Sequence, residues 1–451
     1  MTSSDQTSER SSIRQVVAAS FIGTTIEWYD FFLYGTAAAL VFNKLFFPKV
    51  EPSAGTLLAL ATYGVGFAAR PLGGIIFGHF GDRIGRKTML VLSLLIMGIA
   101  TFLIGVMPTY TAIGIWAPII LVALRIAQGI GVGGEWGGAV LMSVEHAPPG
   151  RRGFFGSWPQ MGVPAGLFLS TVVFLIVQQT TSDEAFLSWG WRIPFLLSAV
   201  LVGVGLFVRL RLYESPAFQR VKETRTEAPM PILDVLRKYP REVLLAMGMR
   251  IAENGVFYIL TVWVLVYGNE ELKLPKSTML WGVVIAALIG LVTIPWYGAL
   301  SDRVGRRPLY LGGALFSLVF AFPFFLLLNT KTAVLIWLAI VLGVNVGHDL
   351  MYGPQAAYFA ELFGTRVRYS GASLGYQLAS VFAGGFAPLI AAALLKAWDW
   401  PAVAAYMALM AAITVVATLL ASETYQQDIE AEDHRERDLA GERVNRREAP
   451  A

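Results

Sequence analysis

The sequence contains no cysteine and only four histidines, His79, His146, His348 and His434. The absence of cysteine excludes disulfides, a thiol nucleophile and cysteine-ligated metal sites. The histidines are scattered, without the spacing of a metal-ligand cluster. Charged residues make up only 15% of the 451 residues, against about 25% in soluble proteins. So few charges cannot cover a water-facing surface, which excludes a soluble globular protein.

Hydrophobic residues make up 55% of the chain, and the mean hydropathy is +0.59. Five long stretches carry no charged residue at all, namely 88–124, 153–182, 277–301, 308–330 and 369–395. Each is longer than the roughly 20 residues that a helix needs to cross the hydrocarbon core. These runs are continuous rather than alternating, so they predict membrane-spanning α-helices and not the strands of a barrel.

We predict an all-α polytopic membrane protein with twelve transmembrane helices in two six-helix, pseudo-symmetric bundles. The predicted spans lie near 14–42, 55–79, 88–107, 113–146, 153–178, 190–211, 240–268, 277–299, 308–328, 332–361, 368–396 and 400–421. The predicted domains are a polar amino-terminal tail (1–13), a first bundle (14–211), a cytoplasmic linker (212–239), a second bundle (240–421) and a charged carboxyl-terminal tail (422–451). Lys and Arg concentrate in alternate loops, which places both termini in the cytoplasm. The expected location is a bacterial-type cytoplasmic (inner) membrane.

An internal repeat relates the two predicted bundles. Residues 78–87 read GHFGDRIGRK and residues 298–307 read GALSDRVGRR, each between the second and third helix of its bundle. A weaker echo pairs Glu145 and a following Arg151 with Glu361 and a following Arg366. Two six-helix halves in parallel repeat suit a carrier whose binding site lies between them.

Both copies match G-x-x-x-D-R-x-G-R-[KR], the loop signature of the major facilitator superfamily. Further segments are EWYDF (27–31), RPLGG (70–74), RIAQG (125–129), GGEWGG (133–138), WGWRIPF (189–195) and RVRYSG (366–371). Together they resemble the metabolite:proton symporter branch, which includes shikimate, 2-oxoglutarate, citrate and proline/betaine carriers. The resemblance implies the major facilitator fold and proton-coupled uptake of a small polar metabolite, often an organic acid. We expect a functional monomer in the lipid bilayer that binds substrate and protons, with no cofactor, metal or nucleic acid.

Charged side chains inside the predicted spans are the most informative feature, because a charge at mid-bilayer costs about 3 kcal/mol or more and faces a cavity or a partner. They are Glu27, Asp30, Arg70, Arg125, Glu135, Arg250, Glu253 and Asp349. A buried carboxyl can hold a proton near neutral pH and release it when substrate or a cation approaches. The proton-coupling candidates are Asp30, Glu27, Glu135 and Asp349. The alternative is a permanent ion pair with a base such as Arg125.

Arg125 stays charged and its planar fork matches a carboxylate, which makes it the leading substrate ligand. The substrate-binding candidates are Arg125, Arg70, Gln128, Tyr34, Gln160, Asn345, His348, Tyr352, Tyr376 and Gln377. The alternatives are a pair of Arg125 with Glu135 or Asp30, a kink-capping role for Arg70 before Pro71, and a structural His348. Arg250 and Glu253, three apart on one helix face, are expected to neutralise each other.

Two further features have structural or gating interpretations. Gly129, Gly133 and Gly137 are spaced by four, which predicts close helix packing. The repeated loops predict a cytoplasmic gate of ion pairs and helix-end contacts that closes when the outside is open. The gate candidates are Asp82, Arg83, Arg86, Asp302, Arg303, Arg306, Glu145, Arg151, Glu361 and Arg366. The alternative for the basic residues is topology alone.

Four functions compete. The first is a proton-coupled importer of an organic acid, shikimate-like or another carboxylate, and the second an importer of zwitterions such as betaine or proline. The third, a drug/proton antiporter, is disfavoured because the Gly-Pro pair of drug exporters is absent from 156–166 and cavity arginines repel cationic drugs. The fourth, a membrane-embedded enzyme, lacks a metal motif or nucleophile constellation.

Overall fold

A computed structural model describes residues 13–84, 86–134, 136–145, 147–148, 150–210, 235, 237, 239–363 and 368–426, with the side chains of 13–16, 78–84, 86–87, 138, 141–142, 145 and 368–370 left aside. Part of the predicted site therefore lies outside the described side chains. This part comprises Asp82, Arg83, Arg86, Glu135, Glu145 and Arg366. Most of the predicted linker 212–239 and of the charged tail also lies outside the described residues.

Twelve long helices account for almost all of the described chain. The first six are α1 (Ile13–Leu40), α2 (Pro52–Ile84), α3 (Arg86–Val106), α4 (Trp116–Gly133, resuming as Trp136–Glu145), α5 (Arg152–Thr180) and α6 (Ile193–Leu210). The last six are α7 (Pro240–Glu271), α8 (Lys276–Val304), α9 (Arg306–Leu328), α10 (Ala333–Glu361), α11 (Arg368–Ala379, then Ala387–Trp398) and α12 (Trp400–Leu420). Short helices in the connections are Phe42–Phe46, Tyr110–Ile113, Asp183–Ser188 and Gly190–Arg192.

Eleven of these helices are long and apolar enough to cross a membrane. The remaining one, α1, has 28 residues, about 42 Å at 1.5 Å per residue, and carries Glu27 and Asp30. The outward faces expose large apolar side chains, for example Val319 at 74% and Val292 at 69%, as expected of a surface that contacts lipid. The predicted twelve-helix architecture is confirmed.

Three helices of the second half contain π-helical turns that the sequence pattern does not predict. They occupy Ile259–Trp263 and Tyr267–Glu271 in α7, Leu342–His348 in α10 and Ser380–Gly385 in α11. A π-turn shifts the register of the side chains that follow it and is frequent at functional sites. In α10 it ends directly before Asp349.

Glycines bring α2 and α4 into backbone contact. A Cβ atom on Gly129 would lie 2.0 Å from the Gly66 carbonyl oxygen, and one on Gly133 would lie 2.0 Å from that of Arg70. The predicted packing role of these two glycines is confirmed. The prediction of one unbroken helix over 113–146 is wrong, because Gly134 forms a turn, with the Phe77 ring packed where a Cβ would stand.

The interface between the first six and the last six helices positions the site. Across it, α5 packs against α8 and α10, α2 against α11, and α1 against α7. At the crossing of α5 and α8, a Cβ on Gly153 would lie 2.3 Å from the Gly298 carbonyl oxygen. Two glycines at this crossing allow backbone contact, which closes the interface at that end of the bundle.

Candidate functional site

A narrow central cavity of about 20 Å³ lies between the two halves. The residues that line it come from α1, α2, α4, α5, α10 and α11, and they are Thr24, Glu27, Trp28, Arg70, Val132, Trp136, Ala139, Val140, Pro159, Gln160, Tyr352, Tyr376 and Gln377. Five of the predicted substrate ligands therefore face one space: Arg70, Gln160, Tyr352, Tyr376 and Gln377. The other candidates, namely Arg125, Gln128, Tyr34, Asn345 and His348, are not among the residues that line this cavity.

Several cavity residues bond across the interface. The Trp136 ring of α4 stacks on the Tyr376 ring of α11, with centroids 3.7 Å apart, and its indole N–H donates to Gln160 at 3.0 Å. Gln160 in turn donates to the Tyr352 carbonyl at 3.3 Å. The Trp136–Tyr376 stack and the hydrogen bond from Gln160 to the Tyr352 carbonyl join the two halves at the cavity wall, whereas the Trp136–Gln160 bond lies within the first half.

Two buried arginines flank the ring of Phe31. The Cζ atom of Arg70 lies 4.2 Å from the centre of this ring, and that of Arg125 lies 4.1 Å from it. Both side chains are fully buried. The Nε and Nη2 atoms of both have no hydrogen-bond partner among the residues that the structure describes. The guanidinium groups are therefore held by aromatic faces, and several of their donors stay unused.

Arg125 is oriented by polar neighbours. Its Nη1 donates to Gln128 at 2.9 Å, and Gln128 donates to the hydroxyl of Thr101 in α3 at 2.7 Å. Tyr34 lies with its ring 4.2 Å from the Arg125 Cζ and donates to the Thr62 hydroxyl at 2.7 Å. Arg125 and Gln128, both substrate-binding candidates, therefore lie on one face of α4 and contact each other.

The acidic candidates of α1 differ in their partners. Glu27 forms an ion pair with Arg209 of α6 at 3.0 Å, and Arg209 also donates to the Leu90 carbonyl. Asp30 accepts a hydrogen bond from Ser198 at 2.6 Å, while its Oδ2 has no partner among the described residues. The permanent ion pair weighed from sequence thus fits Glu27, with Arg209 as a base that sequence reasoning missed.

A second polar cluster fills the core of the last six helices. Arg250 forms an ion pair with Glu253 at 2.6 Å, donates to Gln355 at 3.0 Å and lies over the Tyr376 ring, 3.2 Å from its centre. Gln355 donates to the Tyr310 hydroxyl at 2.9 Å. The predicted neutralisation of Arg250 by Glu253 is confirmed.

His348 and Asp349 continue this cluster. His348 Nε2 lies 3.3 Å from Glu253, and its Nδ1 lies 2.8 Å from Asp349. The other Asp349 oxygen accepts from Asn345 at 2.8 Å and from Thr293 at 2.5 Å. The substrate-binding candidates Asn345 and His348 are not among the residues that line the cavity, and the His348 ring stacks on that of Tyr352 with centroids 4.8 Å apart.

At the predicted cytoplasmic end, Asp302 bridges the two halves. Its carboxylate accepts from the backbone N–H groups of Gly153 at 2.8 Å and Phe154 at 2.9 Å, in the first turn of α5. Carboxylates are stabilised at helix N-termini, where free N–H groups and the helix dipole meet them. The contact is of the kind that the gate prediction requires.

Arg306 holds Asp302 in place. It pairs with Asp302 at 2.8 Å and with Glu361 of α10 at 3.1 Å. The turn between α8 and α9 is also capped by Glu423, whose carboxylate accepts from the backbone N–H groups of Arg306 and Arg307 at 3.0 Å each. Two other gate candidates, Arg303 and Arg151, are exposed and make no ion pair with a described residue.

The opposite end of the interface is closed by aromatic rings and polar contacts. Tyr258 of α7 packs its ring against Phe31, Tyr63 and Phe67, at centroid distances of 6.4, 5.9 and 5.1 Å. Farther out, Thr56 donates to Glu270 at 2.7 Å. Contacts therefore cross the interface on both sides of the cavity, which describes an occluded arrangement.

Sequence reasoning missed several residues of the site. The aromatic rings around the arginines and the polar partners Thr101 and Ser198 carry no pattern that separates them from ordinary core residues. Trp136 lies within the GGEWGG segment, but the motif did not indicate that its ring would reach α11. Their roles follow from contacts between helices distant in sequence.

Comparison with known proteins agrees with this architecture. The pattern of the Major Facilitator Superfamily matches residues 20–384. The chain is 46% identical to the shikimate transporter of Escherichia coli (strain K12), over 91% of this chain and 95% of that protein. It is 43% identical to the inner membrane metabolite transport protein YhjE of the same strain, over 92% and 95%. It is 36% identical to the proline/betaine transporter of that strain, over 90% and 82%.

Among solved structures, the proton:xylose symporter XylE bound to 6-bromo-6-deoxy-D-glucose superposes with a TM-score of 0.73. The match covers 93% of this chain and 98% of XylE at 19% identity, which supports the fold. The predicted multi-pass location in the inner membrane and the expectation of a transporter rather than an enzyme are confirmed by the family. The chain belongs to the Major Facilitator Superfamily, among its metabolite transporters.

Proposed function

We propose that this chain imports a small organic acid, shikimate-like or another carboxylate, together with protons by alternating access. The observation that carries the proposal is the pair Arg70 and Arg125, buried on either side of Phe31 with unused N–H donors. A buried donor without a partner is costly. A carboxylate supplies paired acceptors that match the guanidinium fork, so an anion suits the N–H donors that the described residues leave without a partner.

The buried charges of the first six helices favour an anion. Among the described residues, Glu27 and Arg209 neutralise each other, which leaves Arg70 and Arg125 against Asp30. The sum is one positive charge in excess when Asp30 is ionised. An entering monocarboxylate reduces this positive excess, which lowers the cost of keeping charges away from water.

Asp30 is the proposed proton carrier of this half. Its carboxyl is fully buried, and one oxygen has no partner among the described residues. Burial favours the neutral, protonated carboxyl, and a nearby cation favours the ionised form. Proton and substrate binding are therefore coupled through the local charge balance, which is what symport requires.

The cavity wall offers polar groups for the rest of the cargo. The Tyr376 hydroxyl and the Gln377 Oε1 have no partner among the described residues, and Gln160 and Tyr352 line the same space. Such groups suit hydroxyl substituents on the acid. The remaining site candidates, Gln128 and Tyr34, are proposed to orient Arg125 rather than to touch the cargo.

A zwitterion such as betaine is the second candidate. The cavity lining includes the aromatic residues Trp28, Trp136, Tyr352 and Tyr376, and aromatic faces bind quaternary ammonium groups. The proline/betaine relative adds weight to this alternative. The unpartnered N–H donors of Arg70 and Arg125 favour the organic acid, because a zwitterion brings its own positive charge.

Gating completes the cycle. Asp302, Arg306 and Glu361 are proposed to latch the predicted cytoplasmic end while the other end opens, together with the candidates Asp82, Arg83, Arg86, Glu145 and Arg366 that lie outside the described side chains. The carrier is proposed to work as a monomer in the bilayer without a cofactor, with the proton gradient as its energy source.

Uptake into proteoliposomes tests the proposal. Purified protein is reconstituted, the membrane potential is clamped with potassium and valinomycin, and the outside is made more acidic by one pH unit. Labelled shikimate, labelled betaine and labelled proline are offered in parallel. Protein-free liposomes and a protonophore serve as controls.

Accumulation of shikimate above its outside concentration, abolished by the protonophore, is the expected result. Accumulation of betaine or proline instead would transfer the function to the zwitterion alternative. Failure of all three probes to accumulate, or accumulation that survives the protonophore, would contradict proton-coupled uptake of these cargo classes.

A further inference from the structure

The core of the last six helices contains a histidine held between two carboxylates. His348 Nε2 faces Glu253 of α7 at 3.3 Å, and its Nδ1 faces Asp349 of α10 at 2.8 Å. The exposed fractions of His348, Glu253 and Asp349 are 3%, 2% and 1%. The three side chains lie behind the cavity wall, apart from Arg70 and Arg125.

Both ring nitrogens of His348 can donate hydrogen bonds to their carboxylate neighbours only if the ring carries an added proton. A neutral imidazole has one N–H group and one lone pair, whereas the imidazolium has two N–H groups. In the neutral form, one ring nitrogen would direct its lone pair at a carboxylate oxygen. In the charged form, each nitrogen donates to a carboxylate.

The charge balance leads to the same conclusion. Arg250 neutralises Glu253, and Asp349 has no basic partner among the described residues other than His348. Its second oxygen is bound by the neutral groups of Thr293 and Asn345. With a neutral imidazole the cluster therefore carries one uncompensated negative charge, and a single proton removes it.

The other titratable groups around the cluster are tyrosines, including Tyr258 of α7 near Glu253, and the nearest further charged group is Arg70, which interacts with Arg250. Tyr352 of α10 stacks its ring on His348 at 4.8 Å, Tyr310 of α9 reaches Gln355, and Tyr376 of α11 lies beneath Arg250. Tyr297 of α8 is the titratable neighbour of Asp349. Neutral phenols leave the charge balance of Arg250, Glu253, Asp349 and His348 unchanged.

We infer that Glu253, His348 and Asp349 form a second proton-binding site, separate from Asp30, so that two protons travel with each cargo molecule. Tyr352 separates His348 from the cavity by one ring, and Leu342–His348 is the π-helical turn of α10. Separation of the halves moves the cavity wall and gives water access to the imidazole. The inference rests on the proposed function for its role in coupling, whereas proton binding itself is independent of the cargo.

The equilibrium accumulation ratio measures the number of protons. With the potential clamped, each coupled proton multiplies the ratio about tenfold per pH unit. Wild-type protein is expected to reach about 100-fold accumulation of labelled shikimate at a gradient of one unit, and His348→Gln about tenfold. The equilibrium ratio does not depend on rate, so a slow variant still reports it. His434→Gln, which removes an imidazole from the charged tail, is the matched control and keeps the wild-type ratio.

A ratio for His348→Gln equal to that of wild type would overturn the inference. The double variant Asp30→Asn, His348→Gln is expected to equilibrate shikimate without accumulating it. Accumulation by this double variant would also overturn the inference.

A second measurement needs no cargo. The chain has only four histidines, so the ¹⁵N-histidine NMR signal of His348 is assigned as the one missing in His348→Gln. At pH 6 both ring nitrogens are expected to be protonated in wild type and only one in Asp349→Asn. A wild-type His348 with a single protonated nitrogen at pH 6 rejects the site. This NMR measurement remains informative even if none of the labelled substrates is transported. It therefore separates failure of the proton site from failure of the proposed function.

Discussion

Asp302 and Gly153 join the two halves of the protein through one hydrogen bond of 2.8 Å. The backbone N–H of Gly153, in the first turn of α5, donates to the Asp302 carboxylate in the last turn of α8. Phe154 donates to the same carboxylate at 2.9 Å. The bond sits beside the glycine crossing of α5 and α8, where the backbones touch. Opening the cavity at this end requires the bond to break, so its strength sets part of the balance between closed and open states.

Asp302→Asn is therefore expected to shift the population toward the state open at this end. The variant removes the charge that interacts with the α5 dipole, an effect of about 1 kcal/mol, or about fivefold in population. Because the chain has no cysteine, a single cysteine at Ser157 of α5 reports accessibility to maleimide. Labelling is expected to be faster in Asp302→Asn and unchanged in Glu184→Gln, which changes an exposed acid in the short helix Asp183–Ser188 between α5 and α6. Equal rates for Asp302→Asn and wild type would count against the gate.

Arg125→Lys and Arg70→Lys test the anion site. Lysine keeps the charge and loses the planar fork, so we expect the apparent affinity for labelled shikimate to fall about tenfold, near 1.4 kcal/mol. Uptake is measured as a function of shikimate concentration in proteoliposomes. Arg192→Lys is the matched control, since this guanidinium donates to the carbonyls of Gly105 and Met107 away from the cavity. An unaltered affinity in both test variants would remove the arginines from substrate binding.

Asp30→Asn tests the proton carrier of the first half. The amide can still accept from Ser198, which donates to Asp30 at 2.6 Å, but it cannot exchange a proton. Accumulation of shikimate at a one-unit pH gradient is expected to fall at least tenfold, while exchange of labelled for unlabelled shikimate at equal pH continues. The exposed acid Asp183, changed to Asn, serves as control. Wild-type accumulation in Asp30→Asn would exclude this residue from coupling.

Gly129→Ala tests the backbone contact of α2 and α4. The added methyl group would lie 2.0 Å from the Gly66 carbonyl oxygen, and we expect a loss of about 1–3 kcal/mol in stability. Gly203→Ala in α6 is the matched control, because nothing lies within 4 Å of its Cβ position and alanine is the better helix former. Thermal unfolding in detergent separates the two, with a lower melting temperature expected for Gly129→Ala alone. Equal melting temperatures would contradict the close packing.

Glu51→Gln tests which acids set the pH dependence of transport. The hydroxyl of Ser53 donates to this exposed carboxylate and, with backbone N–H groups and Lys396, lowers the pKa of Glu51 to about 2. A carboxyl whose pKa is lowered by folding stabilises the folded state at pH values above its unfolded-state pKa. This stabilisation is lost as the pH falls through its folded-state pKa. Glu51 is therefore ionised throughout pH 5 to 8, and the variant is expected to keep the wild-type pH profile of shikimate uptake. A shifted profile would show that this loop takes part in coupling.

The sequence predicted the architecture well for a physical reason. A segment that crosses lipid must satisfy its backbone within itself, so long charge-free runs such as 88–124 identify helices without any knowledge of their neighbours. The repeated DRxGR loops and the buried charges Asp30, Arg70 and Arg125 were visible in the same way. The loops stand out because they repeat, and the buried charges stand out because charges otherwise avoid the membrane.

Only the tertiary structure decided which charged side chains pair with each other. Glu27 and Asp30 lie three residues apart on one helix, yet one pairs with Arg209 of α6 and the other meets a serine. His348, the last residue of the π-helical turn of α10, lies between Asp349 of the same helix and Glu253 of α7. Hydropathy depends on each residue alone, whereas an ion pair depends on where two helices place their side chains in space, and sequence spacing within one helix does not contain that information.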